Sequence, residues 1–464
     1  MRETATDNGD HSWGDWLPYS GISKGSSSAN DWYFDAYWSA NYELIKRCNL
    51  LIANIDNMEI EGVKKGAFKA EAIALRALGY CNLTSVFRDV PYLDKPLTLQ
   101  EAEAPKEEKS VIADKVLADL KENLPNLPAK GQAGKGRLTR EAGYAIMGRM
   151  ALFNQRWDEA IAAYDQVIGK ASLFKSGDGS DYTKNFRDLF TEKNEECDEV
   201  LLGVHFRGPG LGEGSTFSTC WGMPMNAIEA SMNLCDDYYC TDGLPIDKSP
   251  LFKGSLAKGA HTSKNPDFAR YENRDPRMKA TLMLPGMKWD TDLYDHKEGG
   301  KFLPGTSTTC ILKWFVPEDK VNEYDGSLDF YVVRYAEVLL SMAEAKIEKG
   351  LPQAECTKYI NEVRARVGMP AVEKAEGNGL SQEQLRQVVR HERRVELAFE
   401  DLRMADLYRW GDWENSIKRM QHDKDFYGFG CYPRLYRGPQ DNVWPIPQGE
   451  IDTNKKLELH AEWK

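Results

Sequence analysis

Residues Arg390 to Gly411 read Arg-His-Glu-Arg-Arg-Val-Glu-Leu-Ala-Phe-Glu-Asp-Leu-Arg-Met-Ala-Asp-Leu-Tyr-Arg-Trp-Gly and pack charge and apolar bulk into one stretch. The spacing predicts a continuous helix. On a 3.6-residue wheel Val388, Glu392, Val395, Phe399, Leu402 and Asp406 share one face, so two carboxylates sit within the apolar stripe. Carboxylates that face a core need partners, and Arg393, Arg394 and Arg403 are the nearby guanidiniums able to hold them. An acid pair of this kind invites an enzymatic reading. The reading adopted is a buried ion network of Glu392, Arg393, Arg394, Glu396, Arg403 and Asp406 that fixes helix packing, because buried charge is tolerated only when paired. No catalytic residue is assigned.

Working outward, Ser381 and Gln384 form a capping box for this helix, which would run roughly 45 Å at 1.5 Å per residue if unbroken. Before it, Phe330 to Lys349 reads as a helix stopped by Gly350, and Gln353 to Val367 as its partner closed by Gly368. Near the start of the chain, Trp32 to Ala53 and Lys64 to Phe87 make another helical pair, separated at Gly62. Ala70, Ala74, Ala77 and Leu78 form a stripe that permits close approach. Ser110 to Leu124 follows. Then Glu141 to Phe153, capped by Thr139, pairs with a helix capped by Asp158 and running through Ile168. In that last pair Gly148, Ala151, Ala160 and Tyr164 fall at the offsets of the tetratricopeptide pattern. The fold class expected is therefore mainly α, with about four tetratricopeptide-like helix pairs forming one body over residues 1–464. The scaffold occupies 32–176 and 329–411, a large irregular insertion with short strands such as Val200 to Phe206 occupies 177–328, and an extended tail occupies 412–464. Long irregular insertions in compact proteins are usually functional.

Sixty basic against 72 acidic residues give a net charge of −12, which excludes nucleic acid as the expected partner. No apolar run reaches the roughly 18 residues of a membrane span. The nine cysteines are too scattered for a disulfide scaffold; Cys48, Cys81 and Cys356 read as packing residues, while Cys235 and Cys240 are left either bridged or unbridged. No metal spacing or Gly-rich phosphate loop is present. No cofactor is expected; the acidic stretches Asp7 to Asp15 and Asp178 to Asp181 lack EF-hand spacing and give only a weak signal for structural calcium.

Three segments together carry a resemblance to a known family: the helix pair Phe330 to Gly368, the run Glu392-Arg393-Arg394-x-Glu396-Leu397-Ala398-Phe399-Glu400-x-x-Arg403 ending in Asp406 and Trp410, and the tail Trp444-Pro445-Ile446-Pro447. With Trp38-x-x-x-Tyr42-x-x-Ile45-x-x-x-Asn49 near the start, they make the chain similar to the SusD/RagB-like outer-membrane nutrient-binding lipoproteins. The resemblance implies a SusD-like α-α superhelix and no enzymatic activity. It also implies a glycan ligand, delivered to a SusC-like TonB-dependent transporter, and attachment to the outer-membrane surface through an amino-terminal lipid. The lipoprotein signal, lipidated Cys and first helix of family precursors do not precede Arg2, so a natural amino terminus upstream is expected. A peptide receptor of the RagB type, a cytosolic tetratricopeptide adaptor and a glycoside hydrolase are the competing readings.

A glycan receptor needs flat rings beside planar hydrogen-bonding groups, because sugars present C–H faces and hydroxyl rims. Aromatic residues in polar, irregular segments meet that need. The ligand-binding set expected on composition and place in the chain is Trp13, Trp16, Asn30, Trp32, Trp289, Asp292, Tyr294 and Trp314, while Trp38, Trp410 and Trp444 are assigned to the core. No metal ligands are assigned.

Overall fold

A computed structural model of the chain describes residues 2–11, 18–98, 101, 103–216, 228–256, 267–284, 287–289, 292–293, 310–314, 325–421 and 433–464. The single body expected over 1–464 divides into two compact units. One comprises Ser26–Ala171, Ala405–Trp413 and Arg437–Lys464, and the other Met1–Gly25, Ser172–Met404 and Glu414–Tyr436. The second half of the expected scaffold thus shares a unit with the insertion.

In the first unit, helix α1 (Trp32–Asn54) packs on α2 (Gly62–Val86), and α3 (Lys109–Asn123) and α4 (Arg140–Phe153) pack on α2 in turn. Helix α5 (Trp157–Asp165) completes the row against α4. Small residues set these spacings. Ala70, Ala74 and Ala77 are buried on α2, and a Cβ at Gly148 of α4 would run into the Tyr164 ring of α5. Thr139 caps α4 by accepting from the Ala142 amide at 3.2 Å. Two expectations fail at helix ends. Gly62 opens α2 rather than closing the preceding unit, and Arg156 occupies the N-cap position of α5, placing Asp158 in its first turn, where a carboxylate favours the helix dipole.

The tail of this unit is not extended throughout: residues Pro439–Asn442 form a 3-10 turn and Gln448–Thr453 a short helix. Between them Trp444 is buried against Phe34, Tyr37 and Phe87, at centroid distances of 5.1, 5.3 and 5.4 Å, and its amide donates to the Val86 carbonyl at 2.8 Å. Trp38 is buried too. Trp410, expected in the core, is only partly buried and lies under the Arg409 guanidinium at 4.8 Å.

In the second unit, strands β1 (Gly9–His11), β3 (Ile228–Ala230), β7 (Cys310–Ile311) and β4 (Leu282–Met283) make a sheet in the order β1-β3-β7-β4. A hairpin joins β5 (Lys288–Trp289) to β6 (Asp292–Leu293). Strand β2 (Val200–Val204) pairs antiparallel with β8 (Phe330–Arg334). The helix expected from Phe330 therefore begins at Tyr335, because the alternation of buried Tyr331 and Val333 serves a strand. Helix α6 (Tyr335–Glu348) packs on α7 (Gln353–Arg366) and on α8 (Gln382–Leu397), whose capping box at Ser381 and Gln384 is formed as expected.

The continuous helix expected over 390–411 is broken. Helix α8 ends at Leu397, Phe399 and Asp401 adopt left-handed backbone angles of φ 63° and 65°, and a second helix runs from Arg403 to Trp410. The break has a packing cause. It turns the fully buried Phe399 inward, where its carbonyl accepts from the Trp314 indole at 2.8 Å. Cys235 and Cys240 are buried as separate thiols in this unit.

Candidate functional site

The acids of the 390–411 stretch come first, since an enzyme would use them. Glu392 meets Arg277 at 2.7 Å and Arg364 at 2.7 Å. Glu396 meets Arg366, Arg334 at 2.7 Å and Arg277 at 3.0 Å. Glu400 meets Lys313 at 2.5 Å and Arg334 at 2.6 Å, and Glu199 lies 2.8 Å from Arg334 and 3.1 Å from Arg366. All are buried. The network exists, but its partners differ from those expected. Arg394 meets Asp237 at 2.9 Å and Asp7 at 3.6 Å, Arg403 meets Asp7 at 2.9 Å and Arg393 meets Glu344 at 3.6 Å, while Asp406 takes its own helix neighbour Arg409 at 2.7 Å. The reason is geometric: neighbouring side chains on one helix diverge, so carboxylates on the core face are met by arginines from other elements.

Burial pushes the Glu392, Glu396 and Glu400 carboxyls up, and the neighbouring cations more than reverse it. Arg277 and Arg364 hold Glu392 at about 2, and Arg366, Arg334 and Arg277 hold Glu396 still lower. A general acid needs the opposite, a raised pKa and access to substrate. This cluster is a brace.

The ligand-binding candidates stand as follows. In the helical unit, Asn30 and Trp32 are both exposed, and Trp32 keeps 65% of its surface open. The turn that carries them is built locally. Asp31 accepts from the Ser28 amide and hydroxyl at 3.1 and 3.3 Å and from the Tyr33 hydroxyl at 2.7 Å, fixing the turn that starts α1. Tyr33 lies edge-on to Trp32 with centroids 6.1 Å apart, and the Gln448 amide donates to the Ala29 carbonyl at 2.9 Å. The Arg437 guanidinium donates to the Ser27 carbonyl at 2.9 Å. An exposed indole beside an exposed amide thus rests on a fixed turn.

Trp314 is a correction. It is completely buried among Phe190, Phe330 and Tyr331, with centroids 4.8, 5.1 and 5.2 Å away, and offers no face to a sugar. Its ring packs with Phe190, Phe330 and Tyr331 in the core cluster that also holds Phe399, and its indole N–H is taken up by the Phe399 carbonyl. Trp289 and Asp292 are backbone register partners in the β5–β6 hairpin. Trp13, Trp16 and Tyr294 lie outside the described residues.

For calcium, Asp7 is engaged by Arg394, Arg403 and Arg419, and Asp178 holds the Ser180 amide and hydroxyl at 3.0 and 2.6 Å. Among the described residues no group of His, Cys, Asp or Glu is arranged to hold a metal ion, and no helix is long and apolar enough to cross a membrane. Sequence reasoning missed Arg277, Arg334, Arg364, Arg366 and Lys313 as the network's basic half. Arg334, ending a short apolar strand, carried the one signal that pointed inward.

Comparison with known proteins completes this picture. The sequence model of the family described as "SusD family" matches residues 174–463, and that described as "Starch-binding associating with outer membrane" matches residues 3–152. SusD-like protein P25 of Formosa agariphila is 24% identical over 454 residues, spanning 90% of this chain and 77% of that protein. A SusD-like carbohydrate-binding protein from Bacteroides fragilis superposes with a TM-score of 0.82 at 24% identity, covering 99% of this chain and 92% of that one. A structure described as a laminarin-binding SusD-like protein gives a TM-score of 0.69 at 23% identity, covering 99% and 93%. These likenesses establish the shared fold, a mainly helical superhelix with an irregular insertion.

Proposed function

The chain belongs to the SusD family, and from that premise we propose that it captures oligosaccharide or polysaccharide at the cell surface and delivers it to a SusC-like TonB-dependent transporter, held at the outer membrane as a lipoprotein. The observation that carries the glycan reading is Trp32. An aromatic ring left 65% exposed at the start of a long helix, beside the exposed amide of Asn30, supplies a stacking face and a hydrogen-bonding group together. The large apolar residues nearby are instead packed away. Capture needs no bond-breaking group: stacking removes the apolar sugar face from water, and the amide reads a hydroxyl at its rim. The buried acids Glu392 and Glu396 are locked to arginines, which favours a brace over a catalytic acid pair there.

The names of the relatives support the ligand class, since one is described as laminarin binding and another as a surface glycan-binding protein from Bacteroides uniformis. The test is a glycan array followed by isothermal titration on the purified chain, with a peptide library beside it. Saturable oligosaccharide binding is expected. Binding confined to peptides would replace the glycan reading with a RagB-like one, and release of reducing sugar would replace it with a hydrolase.

A further inference from the structure

Elsewhere in the helical unit is a cavity of about 490 Å³, walled by Trp38, Tyr42 and Asn49 of α1, by Leu93 and Leu97, and by Glu450 of the short helix Gln448–Thr453. That volume lies within the roughly 300–1,000 Å³ of small-ligand sites. Its walls are set in advance. The Tyr42 hydroxyl donates to the Pro91 carbonyl at 2.7 Å, the Asn49 amide donates to the Leu93 carbonyl at 2.9 Å, and the Leu93 amide donates to the Tyr80 hydroxyl at 2.6 Å. The segment covering α1 is therefore fixed at successive points.

The charges are unevenly matched. Lys46 on the rim pairs with Glu43 at 3.4 Å, and Lys95 with Glu101 at 2.6 Å. Among the described residues Glu450 has no such cation. Burial raises its carboxyl, the Asp35 charge raises it further, and only a hydrogen bond with the Trp38 side chain acts the other way. A carboxylate drawn partly out of water beside a second acid is stabilised by an incoming cation. Most of the remaining wall is hydrocarbon and ring.

We propose that this cavity binds an alkylammonium group, with its cation on Glu450 and its hydrocarbon body against Tyr42, Leu93 and Leu97. A free aliphatic amine and a peptide lysine side chain present the same chemistry. The site is independent of the glycan platform, and either can fail without the other.

The experiment titrates the whole chain, methyl-labelled at leucine, with hexylammonium, with 1-hexanol, and with acetyl-Leu-Lys-Leu-amide. The Leu93, Leu97 and Leu457 methyls report occupancy. Hexylammonium should shift them, hexanol should bind at least about tenfold more weakly, and Glu450→Gln should remove that preference, in line with the roughly tenfold to hundredfold value of a charge-assisted hydrogen bond. Glu43→Gln, whose acid is already paired with Lys46 and Arg47 on the rim, should leave the preference for hexylammonium over hexanol in place. Tighter binding of the peptide than of the amine assigns the source to a polypeptide lysine, and the reverse order assigns it to a free amine. No shift with either amine, equal binding of hexanol, or an equal effect of Glu43→Gln overturns the proposal.

Discussion

Replacing Glu392 by Gln tests the brace most directly, because the amide keeps the shape and removes the charge. In the folded protein Glu392 holds Arg277 and Arg364, both at 2.7 Å, and all three side chains are buried. Neither arginine would be wholly stranded. Arg277 retains Asp275 at 2.7 Å and Glu396 at 3.0 Å, and Arg364 retains Glu376 at 2.9 Å. The cost therefore belongs near the lower end of the roughly 3–5 kcal/mol for breaking a buried pair. Titration gives a similar figure: a carboxyl held at about 2 against an ordinary 4.5 contributes on the order of 3 kcal/mol at neutral pH. At about 2 °C per kcal/mol for a cooperative unit of this size, Tm should fall by roughly 6 °C. The pH dependence has a definite sign. Because the folded pKa is depressed, the contribution is complete above about 4.5 and is lost as pH falls through about 2. Calorimetry of both proteins from pH 7 to pH 2.5 should show the gap closing on acidification. An unchanged Tm at pH 7, or normal stability with lost glycan binding, would refute the structural assignment.

Trp32→Ala should weaken oligosaccharide binding by about 1–3 kcal/mol in isothermal titration and leave the melting curve unchanged, as for an exposed aromatic anchor. Trp314→Ala should do the reverse, costing about 3–5 kcal/mol of stability in denaturant unfolding through the cavity it opens beside Phe190 and Phe399. Gly148→Ala should destabilise by roughly 1–3 kcal/mol in the same assay, because the new methyl meets the Tyr164 ring and α4 and α5 must separate to admit it.

The helical scaffold was legible in the sequence wherever packing imposes a 3.6-residue repeat. Helices α1, α2, α3 and α7 begin and end within a few residues of expectation because one face of each is buried. The errors have identifiable causes. Phe330–Arg334 has too few residues to separate strand from helix by period, and only its pairing with β2 decides. The break after Leu397 was hidden because Phe399 and Asp401 take left-handed angles normally left to glycine, and tertiary contacts of Phe399 and Glu400 hold them there. The ion network illustrates a different limit. Composition announced that Glu392 and Glu396 needed cations, but the cations came from residues up to 119 positions away, such as Arg277. For the proposed glycan platform, Trp32 and Trp314 look alike as letters in irregular surroundings. Burial alone separates a ring that can receive a ligand from one that holds the core together.

The amino-terminal segment has a mechanical consequence. Arg2 is clamped to Asp401 at 2.6 Å, Asp7 to Arg403 and Arg419 at 2.9 and 2.7 Å, and Gly9–His11 is zipped into a sheet against β3. The first described residues leave almost no slack. A pull applied at Arg2 is delivered within a few residues to the charged cluster that follows α8, where Asp401 and Arg403 hold the segment. In a force experiment this end should behave as a stiff handle that holds and then gives way in one step, with little gradual peeling.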